Sequence, residues 1–188
     1  MSRAGIWGPV PAFLLILAMS LGASASGLRF DEVTITLGED NRIMLDAQLA
    51  YELTETASEA LQSGVPLTFE THIQMRAVDA WIWEPDTVEY RVRSVLRYRP
   101  LSALYEVRRV GSDDKQVFAT RASALRYMGR VRNLALIDRA ELDAKAEYLV
   151  RLRSFLDIEA LPLPMRPMAY ISSDWNLQAE PWEWQLRP

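Results

Sequence analysis

Residues 67–77 alternate strictly between apolar and polar side chains, and this period of two constrains the fold more than any other feature of the sequence. One set of alternate positions carries Leu67, Phe69, Thr71, Ile73, Met75 and Ala77, and the other carries Thr68, Glu70, His72, Gln74 and Arg76. Successive side chains of a β-strand point to opposite faces of a sheet, so the first set predicts a face on the core and the second a face in water. We therefore expect a half-buried strand of an antiparallel sheet.

Other segments repeat this alternation between turn residues and predict further strands. The candidates, two hairpins and two single strands, are residues 30–37 with 42–53, 104–110 with 115–120, 87–99, and 182–186. Two short helices are also expected. Thr56 and Glu59 have the spacing of a capping box, and residues 121–132 fit a helix that follows Thr120 as its N-cap. Residues 138–156 fit both a helical stripe and an alternating strand, so periodicity leaves the two open.

These elements predict a mainly β domain. The expected architecture is an antiparallel β-sandwich or flattened barrel of about seven to nine strands with two short helices at its edges. The alternative is an α+β domain in which residues 138–156 form a long helix. The sequence contains no internal repeat and no linker-like stretch, so we expect residues 26–188 to form a single domain.

The first 25 residues are typical of a secretory signal peptide. Arg3 is followed by an apolar run of twelve residues (10–21) and by the small residues Ala23, Ser24 and Ala25. The run is shorter than the roughly 20 residues of a membrane-spanning helix. We expect cleavage after Ala25, a periplasmic mature chain and no membrane span after cleavage. A retained anchor or a buried first helix is the alternative.

The composition excludes several chemistries. The chain has no cysteine and one histidine, His72, which rules out disulfides, thiolate metal sites and any site that needs two imidazoles of one chain. The formal net charge is −4 and falls to −5 without Arg3, so no nucleic-acid partner is expected. No phosphate-binding or nucleophile-elbow motif is present. We expect no cofactor, no metal and no catalytic residue, with His72 on a solvated strand face.

Two groups of residues are candidates for binding. Arg91, Arg93, Arg97 and Arg99 lie on one predicted strand. They either pair with glutamates of neighbouring strands or hold a carboxylate or phosphate through bidentate hydrogen bonds. Trp81 and Trp83 lie in a predicted loop, two residues apart, where an extended chain places both indoles on one side. They either pack in the core or form an exposed binding surface.

Several segments, in a fixed order, carry a resemblance to a known family. They are Arg99-Pro100-Leu101 with Tyr105-Glu106-Val107, residues 124–131, residues 156–166, Trp175-Asn176-Leu177 and Trp182-Glu183-Trp184. This order resembles DUF4390, a family of exported proteobacterial proteins of unknown function, over nearly the whole mature chain. The resemblance implies no activity and no catalytic residues. It implies gene neighbours that encode a sensor histidine kinase and its response regulator, and it favours a strand over residues 148–157.

Taken together, these features favour a non-enzymatic periplasmic binding or accessory protein. Its expected partner is an envelope protein, such as the periplasmic part of a sensor histidine kinase. A carrier of an apolar or acidic ligand inside the β-structure is the alternative. A carboxylate-based hydrolase is a further one, because a catalytic pair is defined by its separation in space rather than in sequence.

Overall fold

The computed structural model describes residues 27–81 and 83–188, and the predicted signal peptide lies outside them. The described residues form nine strands, three α-helices and four short 3₁₀ helices. The strands are β1 (Gly27–Leu37), β2 (Arg42–Glu52), β3 (Leu67–Ala77), β4 (Val88–Arg99), β5 (Leu104–Arg109), β6 (Lys115–Phe118), β7 (Arg130–Asp138), β8 (Tyr148–Leu156) and β9 (Trp182–Leu186). The α-helices are α1 (Glu55–Gln62), α2 (Arg121–Met128) and α3 (Arg166–Ile171), and the 3₁₀ helices are Arg139–Glu141, Ile158–Ala160, Leu163–Met165 and Ser173–Trp175.

The strands form two antiparallel sheets of unequal size. Three strands pair in the order β1-β2-β7, and six pair in the order β6-β5-β4-β3-β8-β9. Neither sheet closes on itself within the described residues, so the predicted mainly β fold is confirmed as a sandwich and not as a barrel. The helix α2 packs against β2 and against β4, β5 and β6, so it covers part of the larger sheet beside the smaller one.

The core lies between the sheets and is built from the alternating positions. Leu45 of β2, Ile73 of β3 and Leu152 of β8 have no exposed surface. The ring of Tyr51 on β2 meets Phe69 of β3 edge to face, with centroids 5.0 Å apart. Such apolar contacts between facing sheets supply most of the stability of a sandwich.

A small polar cluster lies within this core. The hydroxyl groups of Thr71 and Ser154 are 3.1 Å apart and hydrogen-bonded, and the buried side chain of Tyr51 lies beside them. Burial raises the pKa of Tyr51 above its ordinary value, because the phenolate would lose its hydration. Ser154 interrupts the apolar face of β8 in the sequence, and its bond to Thr71 explains how that interruption is tolerated.

Both predicted helices differ in the structure, and one strand was not predicted. The first helix is capped by Thr54, whose side chain accepts from the amide of Ala57, and not by Thr56. The second helix ends at Met128 instead of Arg132, and residues 130–138 form β7, a strand that the sequence analysis did not predict. Its alternation is hidden because its register with β2 shifts twice and Asn133 adopts a positive φ of 49°.

The segment 138–156, whose sequence pattern fits both a helix and a strand, contains a strand and no long helix. Residues 148–156 form β8, the neighbour of β3. The segment before it contains the short 3₁₀ helix Arg139–Glu141 and no long helix. The α+β alternative is therefore wrong, and the strand that the family resemblance favours is confirmed.

The change of direction between α2 and β7 depends on Gly129. Its carbonyl accepts from the amide of Leu49 at 2.9 Å, and a Cβ at position 129 would overlap the carbonyl oxygen of Leu49. The backbones of β2 and of this turn can approach so closely only because glycine has no side chain.

We expect Gly129→Ala to lower the free energy of unfolding by about 1–3 kcal/mol, the usual cost of inserting a methyl group where no space exists. Urea denaturation followed by circular dichroism measures the change. Gly27→Ala is the matched control, because nothing lies within 4 Å of a Cβ at that position. Equal losses in both variants would contradict the close approach.

Candidate functional site

The outer face of the larger sheet, which looks away from β1, β2 and β7, is centred on β3. Strand β3 lies between β4 and β8, and its register places Glu70 opposite Arg93 and His72 between Arg91 and Arg153. The residues Glu70 and His72 are only 7% and 8% exposed. The expected solvated face of β3 is therefore wrong at these positions, because long side chains on the flanking strands exclude water from the central one.

Arg93 joins two buried carboxylates. Its Nε donates to Glu70 at 2.9 Å, and its Nη2 donates to Asp157, which directly follows β8. The side chains of Glu70 and Asp157 are each 9% exposed, whereas that of Arg93 is 45% exposed. A carboxylate that loses its hydration needs such a partner. Because both groups are bound to one guanidinium on an open sheet face, the hydrolase reading gains no support.

His72 uses both of its ring nitrogens. Its Nε2 lies 2.9 Å from Glu89 Oε1, and its Nδ1 accepts from Nη2 of Arg153 at 3.2 Å. An arginine cannot accept a hydrogen bond, so the neutral ring carries its proton on Nε2 and donates it to Glu89. Hydrogen bonds from Arg91 first and His72 second hold the pKa of Glu89 below its ordinary value. This arrangement leaves no ring nitrogen free for a nucleophile.

The other candidate arginines divide into paired and unpaired side chains. Arg91 pairs with Glu89 on the same strand, at 2.7 Å, and Arg99 pairs with Glu106 of β5 at 2.6 Å. Burial alone would raise the pKa of Glu106, but the hydrogen bonds from Arg99 and Lys115 outweigh it and hold that pKa below its usual range. Arg97 is exposed and has no ion-pair partner among the described residues.

The tryptophan loop, which we define as residues 78–81 and 83–87 between β3 and β4, lies at one end of this face. The indoles of Trp81 and Trp83 are stacked, with centroids 5.3 Å apart and planes inclined by 14°. Their exposed fractions are 64% and 78%. Of the two readings of these residues, the structure agrees with the exposed surface and not with core packing.

The outer face of the sheet holds this loop in place. Arg76 of β3 donates to the carbonyl oxygens of Ala80 and Trp81, and Gln74 donates to Asp86 at 2.5 Å. The same Gln74 accepts from Arg153. A chain of side-chain hydrogen bonds therefore connects the loop to the charged network around His72.

The structure brings together only part of the predicted set. Trp81 and Trp83 lie at the end of the sheet where β4 begins, and Arg91 is the nearest of the four arginines along that strand. Arg99 ends β4, about 27 Å from Arg91 at the rise of an extended strand. The tryptophans and Arg97 or Arg99 therefore cannot contact one small ligand.

Pairing of the arginines with glutamates of neighbouring strands, such as Arg93 with Glu70, was predicted, but Asp157 as the second partner of Arg93 and the neighbours of the other tryptophans were not. Asp157 is 64 residues from Arg93 in the chain, and only the pairing of β3 with both β4 and β8 brings them together. Trp175 is buried, with 4% of its surface exposed. Trp182 and Trp184 stack on β9, opposite Leu152 and Val150 of the inner face.

We expect Arg93→Gln to lower the free energy of unfolding by about 2 kcal/mol, because Glu70 and Asp157 would remain buried without a cation. This is less than the cost of breaking a fully buried pair, since Arg93 is half-exposed. Adding Glu70→Gln should recover part of the loss. Arg91→Gln is the matched control on the same strand and should leave the unfolding free energy nearly unchanged. Equal losses for the two single variants in urea denaturation would contradict this assignment.

Within residues 27–81 and 83–188, no helix combines the length and the apolar character needed to cross a membrane. Searches of curated proteins and of solved structures find no match to the chain. A family model described as "Domain of unknown function (DUF4390)" matches residues 25–185, almost the entire described domain. The chain therefore belongs to the DUF4390 family.

Proposed function

We propose that the protein is an exported, non-enzymatic binding protein of the cell envelope that contacts a protein partner through the tryptophan loop. The observation that carries this proposal is the pair of stacked, largely exposed indoles of Trp81 and Trp83. Tryptophan is the residue most enriched in the energetic centres of protein interfaces. A soluble protein that exposes neighbouring large apolar side chains usually does so at a binding surface.

The fixed backbone of the loop supports this reading. Arg76 binds two carbonyl oxygens of the loop, and Gln74 binds Asp86. The two indoles are stacked on each other before any partner arrives. Less conformational entropy is then lost on binding than for a free loop.

The charge of the loop indicates the chemistry of the partner. Asp79 and Glu84 are exposed beside the indoles, and the loop sequence contains no lysine or arginine. Val78 adds a further apolar side chain that is 56% exposed. An apolar surface bordered by basic residues is complementary to this combination.

A carrier function receives less support. The side chains between the sheets fill the space in which a ligand would lie, since Leu45, Ile73 and Leu152 are completely buried. A cavity of about 610 Å³ lies at the edge of β2 and not between the sheets.

Export is the second part of the proposal and rests on residues 1–25. We expect the chain recovered from the periplasm to begin at Ser26, and Leu15→Arg to leave full-length precursor in the cytoplasm, because it places a charge within the apolar run. Cell fractionation and the intact mass test both statements. Leu15→Ile is the control, because it keeps the run apolar. Unchanged processing of Leu15→Arg would contradict a cleaved signal peptide.

The partner that the family resemblance implies is the periplasmic part of a sensor histidine kinase. Photo-crosslinking in cells tests this, with a photoreactive residue at position 84 beside Trp83 and, as the control, at position 101, where Leu101 is fully exposed at the far end of the sheet. We expect a kinase adduct from position 84 only, and its loss when Trp83→Ala is added. An adduct that survives Trp83→Ala, or equal yields at both positions, would contradict binding through the tryptophan loop.

A further inference from the structure

Strand β2 extends beyond the strand that pairs with one of its edges. Its register with β7 ends where Gln48 meets Arg130, and the last bond on that side runs from the amide of Leu49 to the carbonyl of Gly129 at 2.9 Å. On the other side, β1 continues to pair with β2 as far as Glu52. The end of β2 therefore has one paired edge and one open edge.

Tyr51 presents its main chain at the open edge. The N–H and C=O of alternate residues in a strand point to the same side, so those of Tyr51 point the same way as the amide of Leu49. No hydrogen-bond partner is found for the main chain of Tyr51 on that side within residues 27–81 and 83–188. An open edge of this kind is able to accept another strand.

The open edge lies in a groove. A cavity of about 610 Å³ is bounded on one side by residues 49–53 of the chain, with Gln48 and Asp31 beside them, and on the other side by the helix α2. The wall from α2 consists of Arg121, Ala122, Leu125 and Arg126. Five residues of an extended strand span about 17 Å, so the groove has the length of a short peptide segment. The groove lies near the start of β1, whereas the tryptophan loop lies near the end of β3.

The charges around the groove are not balanced. On the side of β1 and β2, Asp31 and Glu52 both pair with Arg29, at 2.9 and 2.8 Å. On the helix side, neither Arg121 nor Arg126 has an ion-pair partner among the described residues, and the first turn of α2 contains no acidic residue. Together with Arg29 the groove carries three arginines and two carboxylates, a net charge of +1, and the arginines without an ion-pair partner both lie on the helix side.

We propose that this groove, here called the β2-edge groove, binds an extended acidic segment of another protein, which adds to the smaller sheet as a strand beside β2. The main chain of Tyr51 would exchange hydrogen bonds with the segment, and its acidic side chains would meet Arg121 and Arg126. This site is separate from the tryptophan loop and does not depend on the function proposed for that loop.

Two other occupants fit the groove less well. Residues 1–26 precede β1 and contain no aspartate or glutamate, so they offer nothing to the two arginines. A second copy of the chain would bring its own β2 together with the paired β1, so two strands rather than one would have to enter between β2 and α2.

The test uses the exported chain, as purified from cells, and a fluorescent nine-residue peptide of alternating glutamate and valine. Fluorescence anisotropy at low salt should show saturable binding that weakens as salt is added. Two matched peptides are the controls: one has lysine in place of glutamate, and the other is N-methylated at alternate residues and cannot form strand hydrogen bonds. Both should bind at least tenfold more weakly.

Two further measurements locate the peptide. Hydrogen exchange at the amide of Tyr51 should be fast in the free protein and at least tenfold slower in the complex. The double variant Arg121→Glu/Arg126→Glu should weaken binding at least tenfold. Circular dichroism checks that this variant folds, and Arg126→Gln, on the exposed side of α2, provides a milder change in the same direction.

Each remaining outcome would overturn the proposal. Equal binding of the N-methylated peptide would exclude strand addition, and unchanged binding by folded arginine variants would exclude this groove. Protection of the Tyr51 amide in the free protein would show that the edge is already occupied. If that protection depended on protein concentration, the occupant would be a second copy, and if it disappeared on deletion of residues 1–26 from an unprocessed chain, the occupant would be that segment.

Discussion

The bridge from Arg93 to Glu70 and Asp157 is the interaction on which the larger sheet depends. It joins β4 to β3 and to the residue that follows β8, so one guanidinium connects the three central strands on their outer face. On the inner face the same strands are held by apolar contacts such as that of Phe69 with Tyr51. Side chains of the neighbouring strands on one face and the core on the other therefore shield most of β3 from water.

Both proposed binding surfaces lie where one of the two sheets extends beyond the other elements of the fold. Within residues 27–81 and 83–188 no second sheet covers the outer face of the larger sheet, and the polar side chains Arg76 and Gln74 on this face hold the tryptophan loop. The smaller sheet is incomplete in another way, because β7 begins at Arg130 and leaves the end of β2 open. The turn at Gly129 fixes where β7 begins, so the glycine that permits the close approach also creates the open edge.

The sequence was sufficient to predict the elements whose side chains alternate regularly. Strand β3 matched its predicted bounds, and the hairpins and β9 followed from the same rule. Strand β7 was not predicted, because the positive φ of Asn133 and two register shifts with β2 interrupt its alternation of apolar and polar side chains. The burial of His72 was not predicted for a different reason. It depends on arginines of β4 and β8, and these lie beside His72 only because of the order of the strands in the sheet. The local sequence pattern shows which strand a residue belongs to and which face it lies on. Whether a residue on an outer face is buried depends on the side chains of the neighbouring strands.

The same network of neighbours is what led us to propose binding rather than catalysis at the candidate site. Catalysis needs a group whose reactive atom is free to meet a substrate, yet Arg93 occupies Glu70 and Asp157, and Glu89 and Arg153 occupy both nitrogens of His72. The charged side chains on the outer face of the larger sheet bind one another, so only the ends of this face are free to contact a partner. At one end this face holds two exposed indoles in a defined geometry. A surface whose side chains are already held in place is suited to binding another protein, because little conformational entropy is lost when the partner binds.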